Sequence, residues 1–242
     1  MKKVVFIIPM FNASPHIKEL IGSLKEQTNE NWEAVFIDDM STDDSLKMIN
    51  ICSGGDKRIK VIKNSEKQWA LYNVVVTSKQ YIDNLSSENE ASSTIIAVLD
   101  ADDSLCNENT VQLLINAYKD EKVDCVWTAH TWDINGMNIS KDMPNVNPYQ
   151  FPWVSSHLKT WRGNLINKVK NENFKDLDGN WFKRGYDQAL YLPLLYKARK
   201  RHYVNEICYL YRINSSSIKV REWNEKCQMD TIRLVRARGY VE

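Results

Sequence analysis

The chain of 242 residues is 43% hydrophobic and carries a net charge of +1. That length suits one large α/β domain or a domain and a half, and the composition excludes disordered and collagen-like chains. The near-neutral total hides a split: residues 1–154 hold 14 Lys/Arg against 22 Asp/Glu, and residues 155–242 hold 18 against 9. Such a split points either to two surfaces with different partners or to two halves that attract each other. No apolar run approaches the ~18 residues of a membrane span. Val4 to Ile8 follow two lysines and stop at Pro9. The run is shorter than the roughly 7 to 15 residues of a signal core, so it reads as a buried strand. Five cysteines without a CxxC fit neither a disulfide framework nor a zinc site, and suit a reducing cytoplasm.

In chain order, the continuous apolar run 3–8 reads as a parallel strand. Ser14-Pro15 reads as a helix start, with Ser as N-cap and Ile17, Leu20, Ile21 and Leu24 at helical spacing. A second strand, 33–37, ends at Asp38-Asp39, and Ser41 or Thr42 caps a short helix through Ile51. A strand at 59–62 and a helix at 66–85 follow; residues 86–93 read as a polar loop. Residues 94–99 form a fourth strand that ends at acids, 107–118 a helix and 123–128 a fifth strand. This alternation predicts an α/β fold: a Rossmann-like, mostly parallel sheet with helices on both faces, over residues 1–130. Ligands of such sheets bind beyond the carboxyl ends of the strands, where Pro9, Asp38-Asp39 and Asp100 fall. Residues 131–152 read as a long loop, of a kind that is usually functional or mobile. Segments 153–170 and 184–200 read as helical, 202–212 as strand and 222–238 as a basic helix. Residues 131–242 are therefore expected to be a basic, mostly helical region of the same compact unit.

Three acidic constellations stand at these strand ends. Asp100-Ala101-Asp102-Asp103 places three carboxylates in four residues after a buried strand. They repel one another unless a cation sits between them, and oxygen ligands of this kind suit Mg²⁺ or Mn²⁺. The alternative is an acidic turn before the helix at 107. Asp38-Asp39-Met40-Ser41-Thr42-Asp43 offers carboxylates to a base or ribose, or simply turns and caps a helix. Arg184-Gly185-Tyr186-Asp187 sets an acid before an apolar helical run, either as a general base or as a helix N-terminal acid.

Taken together, these motifs resemble the family 2 glycosyltransferases of GT-A fold. Ile7-Ile8-Pro9-Met10-Phe11-Asn12, Phe36-Ile37-Asp38-Asp39-Met40-Ser41-Thr42-Asp43 and Leu99-Asp100-Ala101-Asp102-Asp103 stand in the family's order over about the first 130 residues. Tyr209 to Ser217 extends the likeness. The resemblance implies an inverting, single-displacement transfer of a sugar from a nucleotide-sugar, most often UDP-linked, to a hydroxyl. It implies that Pro9, Phe11 and Asp39 cradle the nucleobase and that Asp100 sits near the ribose, with Asn12 and Ala101 also in the nucleotide-sugar site. Asp102 becomes the chief ligand of Mn²⁺ or Mg²⁺, with Asp103 as alternative, and Asp187 the catalytic base. Three departures stand out. Ala70-Leu71-Tyr72-Asn73 lacks the family's arginine, which leaves Lys67 as a substitute on the diphosphate. Asn214 stands where a histidine is common, and Tyr186-Asp187 has one acid where the family has a pair.

His157, Trp153 and Arg212 are candidates for contact with acceptor or phosphate, and one or two of Trp127, Trp132, Trp153, Trp161 and Trp181 are expected to stack on a sugar. The basic C-terminal half admits an anionic acceptor: a phosphorylated glycan, a lipid-linked sugar at a membrane surface, or DNA with a hydroxylated base. The expectation is a cytoplasmic enzyme, in peripheral contact with a membrane if its acceptor is lipid-linked, or in a host cytoplasm if viral. A non-catalytic nucleotide-sugar-binding module is the second reading. A sugar nucleotidyltransferase would need a glycine-rich loop near the first strand, and none is present.

Overall fold

Successive side chains of a strand point to opposite faces of its sheet. In the first strand, β1 (Lys3–Met10), every residue after Lys3 is buried. Val5 and Ile7 enter one apolar layer, and Val4, Phe6, Ile8 and Met10 enter the other. A strand buried on both faces belongs at the middle of a sheet covered on both sides. The computed structural model, which describes residues 2–213 and 218–242, has that arrangement. β1 pairs in parallel with β2 (Trp32–Asp38) and β4 (Thr94–Val98), and β2 pairs with the edge strand β3 (Ile59–Lys63).

The sheet continues through strands from later in the chain. Its order is β3-β2-β1-β4-β7-β6-β8-β5, with β5 at Ser104–Leu105, β6 at Val123–Trp132, β7 at Lys159–Arg162 and β8 at Lys200–Tyr211. β7 runs antiparallel between β4 and β6, β8 is parallel to β6, and β5 is antiparallel to β8. α1 (Ile17–Lys25), α2 (Ser45–Ser53) and α5 (Thr110–Ala117) cover one face. α3 (Trp69–Asp83), α6 (Tyr186–Lys197) and α7 (Ile218–Arg238) cover the other. The fold is α/β, as the alternation implied, on a mixed sheet that takes two strands from the C-terminal region.

Several local expectations are corrected. Segment 153–170 is not a helix; it supplies β7 and a 3-10 turn at Gly163–Lys168. A four-residue strand buried throughout, with Lys159 and Arg162 inside, gives no period-2 alternation to read. Residues 86–93 are not a loop: Ser87 caps α4 (Glu88–Ser93) by accepting from Glu90 N at 3.2 Å. Ser14 does not cap α1, which starts after His16. Ser41 and Thr42 do not cap α2 either; both bond to Asn12 at the end of β1.

Much of the basic half is consumed internally. Arg199 makes a two-pronged pair with Asp124 (2.7 and 2.8 Å), Lys200 meets Asp120 at 2.9 Å, and Arg212 pairs with Glu19. Arg236 and Arg238 donate to backbone carbonyls of Tyr149, Phe151, Asn173 and Lys175. The two oppositely charged halves are thus stitched together.

Gly185 opens α6 in the left-handed region (φ +64°), and a Cβ there would lie 2.9 Å from the Gln228 carbonyl of α7. Gly185→Ala is expected to destabilise the protein by about 1–3 kcal/mol. Urea unfolding would show a lower midpoint; an unchanged midpoint would mean that α7 does not pack on this turn.

Candidate active site

The carboxyl ends of β1, β2 and β4 open on one cleft. Its first part, about 250 Å³, is lined by Pro9, Phe11, Asn12, Asp39, Ala70, Asn73, Asp100, Ala101 and Asp102, among others. Asn12 knits two of the strand ends together: its N–H donates to Ser41 Oγ (3.0 Å) and its Oδ1 accepts from Thr42 N (2.8 Å). Asp43 reinforces the tie by accepting from Ser14 N and Ser45 N. Burial opposes its charge, but these hydrogen bonds prevail and hold the carboxyl down at about 2. Among the described residues the non-glycine positions with positive φ are Asn12, Met40 and Trp69; Asn12 and Trp69 line this cleft, and Met40 follows Asp39, which also does. Strain of this kind persists where the surroundings dictate the backbone.

Asp39 is almost fully buried and accepts from Asn64 Nδ2 (2.9 Å), Gln68 N (2.8 Å) and Trp69 N (2.9 Å). Desolvation works against its charge, and the hydrogen bonds outweigh it, so its carboxyl lies below the usual range. It pins the start of α3 to the end of β2. Lys67 sits 3.5 Å from the same carboxylate and 2.8 Å above the Phe11 ring. Half-exposed Phe11 lines both parts of the cleft.

The second part of the cleft, about 490 Å³, shares Phe11, Asp39, Ala70, Asp100 and Asp102 with the first. It adds Lys67, Trp69, Asp103, His157, Lys183, Arg184, Tyr186, Asp187, Tyr211 and Arg212. At the boundary the three carboxylates are divided by their partners. Asp103 is buried and accepts from Tyr209 Oη (2.7 Å) and Arg212 N (2.7 Å). Asp100 accepts from Tyr186 Oη, and its N–H donates to Tyr209 Oη at 3.2 Å. Burial, reinforced by the neighbouring acids, pushes both carboxyls well up from the ordinary range. Asp102 lines both parts of the cleft, and Arg212 holds its carbonyl (2.8 Å). Among the described residues no cluster of three or more His, Cys, Asp or Glu is arranged around a metal position.

Asp187 stands in the first turn of α6 and meets Lys159 Nζ at 2.5 Å. Lys159 is fully buried; its ammonium also donates to the Ser156 carbonyl (2.9 Å) and lies 3.3 Å from His157 Nδ1. His157 stacks between Tyr209 and Tyr211, at 4.6 and 4.9 Å between centroids. Burial, then the charge of Lys159, pushes its pKa well down, so a neutral imidazole accepts from the lysine. This leaves His157 as packing and support for Lys159, with one edge on the cleft.

Pro9, Phe11, Asn12, Asp39, Lys67, Asp100, Ala101, Asp102, Asp103, His157, Asp187 and Arg212 meet in this cleft, whereas Asp38 and the tryptophans Trp127, Trp132, Trp161 and Trp181 do not line it. Trp153 lines neither part; it packs against the core layer beneath α6 and α7. The tryptophan that does face the cleft is Trp69, with Lys67, Lys183 and Arg184 at 5.7, 5.8 and 4.9 Å from its ring. Lys159, Trp69, Tyr186 and Tyr209 were not singled out. Tyr209 and Tyr211, two apart in a strand, were the legible hint of an aromatic face. Asn214 lies outside the described residues.

The sequence model of the family described as Glycosyl transferase family 2 matches residues 5–168. Glycosyltransferase GlyG of Streptococcus pneumoniae is 22% identical over 94% of this chain and 76% of its own length. The putative teichuronic acid biosynthesis glycosyltransferase TuaG of Bacillus subtilis is 23% identical over 91% of this chain and 82% of its own. The structure of S. aureus TarS 1–349 in complex with UDP-GlcNAc superposes with a TM-score of 0.69 at 18% identity, over the whole of this chain and 68% of that one. The mannosyltransferase PcManGT of Pyrobaculum calidifontis, in complex with GDP-Man and Mn²⁺, gives 0.61 at 16% identity, over 96% of this chain and 64% of that one. With a GT-A-like sheet and acids at its strand ends, the chain belongs to glycosyl transferase family 2 and is a glycosyltransferase.

Proposed function

We propose that this glycosyltransferase takes its sugar from a UDP-linked donor with the help of a divalent cation, and passes it with inversion to a hydroxyl of a cell-surface glycan. The observation that carries this reading is the continuity of the cleft. Pro9 and Asn12 line only the first part, Asp187 only the second, and Phe11, Asp39, Asp100 and Asp102 line both. The solved neighbours with UDP-GlcNAc and with GDP-Man and Mn²⁺ support the donor class and the cation. The teichuronic acid relative, and a relative from Escherichia coli described as a diphosphoundecaprenol β-1,3-glucosyltransferase, support a surface glycan as product.

The donor set fits a cation shared with the substrate. Mg²⁺ and Mn²⁺ keep several waters and take one or two carboxylates together with substrate phosphates. Asp102 fits that role; Asp103 is committed to Tyr209 and Arg212. When bound, the cation would offset the negative charge that develops on the departing diphosphate. The chain's own residues do the rest. Phe11 and Asn12 frame the base, and Lys67 stands beside them as a cation on the diphosphate side. Asp187 takes the proton of the attacking hydroxyl as the new bond to the anomeric carbon forms and the bond to the nucleoside diphosphate breaks. Lys159 holds the Asp187 carboxylate in a fixed direction, so its orientation costs nothing at the moment of reaction.

A hydroxylated DNA base as acceptor is the weaker reading, because Arg199, Lys200, Arg236 and Arg238 are spent on internal partners. No helix among the described residues is long and apolar enough to cross a membrane. A cytoplasmic site of action beside the membrane is part of this proposal.

Release of UDP from UDP-GlcNAc and UDP-glucose tests it. Asp187→Asn is expected to lower kcat by about 10²–10⁴-fold with UDP affinity retained. Equal turnover in the variant would remove Asp187 from the chemistry, and no release by the parent would favour a non-catalytic module. Lys159→Met, which keeps volume and removes the charge, should cut kcat by about tenfold or more with little change in donor KM; an unchanged kcat would make Lys159 structural only. Asp102→Ala should abolish the gain in UDP affinity that Mn²⁺ confers, and calorimetry showing the same gain in parent and variant would refute that ligand assignment.

A further inference from the structure

The cleft is lined by five aspartates, Asp39, Asp100, Asp102, Asp103 and Asp187. Most of its cations are matched to them or to another acid: Lys67 to Asp39, Arg212 to Glu19, and the buried Lys159 to Asp187. Lys183 and Arg184 are the exceptions among the described residues, with no carboxylate at ion-pair distance. Both lie over the Trp69 ring, Arg184 at 4.9 Å. The Arg184 Nε is buried with no hydrogen-bond partner, and desolvation pulls the guanidinium below its ordinary pKa. A half-buried arginine with an unused, inaccessible N–H in a cleft is matched by an anionic oxygen.

The chemistry of that anion follows from position. Lys183, Arg184 and Trp69 line only the second part of the cleft, the part that holds Asp187. Gly185, in the left-handed region, turns the chain so that residues 183–184 and Asp187 border one space. The donor diphosphate, on the reading above, belongs at the boundary beside Asp102. We infer that Arg184 and Lys183, on the Trp69 face, bind a phosphate ester of the acceptor next to the hydroxyl that Asp187 deprotonates. The inference rests on that reading of the donor and base. It makes the acceptor an anionic, phosphate-bearing glycan or polyol. A neutral acceptor would leave the buried Arg184 Nε without an anionic partner.

The test is a titration of the UDP- and Mn²⁺-loaded protein, and of the unloaded protein, followed through the tryptophan indole N–H signals, with Trp69→Phe assigning Trp69. The probes are glycerol 3-phosphate as monoester, glycerophosphoglycerol as diester and glycerol as neutral control. At least one phosphate ester should shift the Trp69 signal at concentrations where glycerol does not. Arg184→Ala should weaken that binding by about tenfold or more and leave UDP affinity within about twofold. If Arg184→Ala fails to fold, Lys183→Ala, at an exposed position, carries the test in the same way. Phosphate esters that bind no better than glycerol would overturn the inference. So would a loss of UDP affinity in Arg184→Ala with phosphate-ester binding intact, which would give the pair to the donor. If the parent binds no UDP, the donor reading fails, and the titration of unloaded protein still decides the phosphate subsite.

Discussion

Asp100, Asp102 and Asp103 leave β4 within four residues of one another, and the low dielectric beneath them magnifies their repulsion. The surrounding structure is arranged to contain that charge. Tyr209 and Tyr186 give their hydroxyls to Asp103 and Asp100, and the backbone of Arg212 gives its N–H to Asp103. These donors come from β8, α6 and the residue after β8, so folding of the C-terminal region and construction of the acidic turn are one event. Asp100 and Asp103 are drawn inward, where burial pushes their carboxyls up from the ordinary range, and Asp100 and Asp102 both line the two parts of the cleft. On the proposed reading, a divalent cation arriving with a diphosphate would meet a turn whose geometry is already set.

The same logic accounts for the uneven charge of the chain. A cation in water gains little from a distant acid, but one that crosses between elements locks their relative position. Arg162 and Arg199 both reach Asp124, and Lys159 reaches Asp187. Part of the basic half, through Arg162, Arg199, Lys200 and Arg212, thus fastens onto the acidic half, while Lys159 and Asp187 fasten elements within the basic half. What remains for ligands is local: two cations over Trp69 beside a carboxylate that lysine holds in place.

The parallel half of the fold was legible because β1, β2 and β4 are continuous apolar runs ending in Pro or Asp, and burial on both faces leaves no other reading. The second half was harder. β7 is four residues long and carries a buried lysine and arginine, and its pairing with β4 and β6 depends on contacts far apart in sequence. For the same reason Lys159 was invisible as a site residue, although Asp187 beside it was singled out. Asp39 and Asp43 show the limit of motif reading. Their carboxylates are occupied by backbone N–H groups of Trp69 and Ser14, so much of that motif serves to hold the cleft's wall. His157 was singled out for a ligand and turns out to be a neutral ring in an aromatic stack. Trp153 was misplaced because a tryptophan after a loop looks the same whether it faces sugar or core.

The division of labour within the acidic turn is tested most directly by a crystal structure of the protein with UDP and Mn²⁺. The account predicts an Asp102 oxygen at about 2 Å from the cation, which also touches the diphosphate, with Asp103 still held by Tyr209 and Arg212. A cation bound by Asp103, with Asp102 turned away and the Tyr209 contact broken, would contradict it.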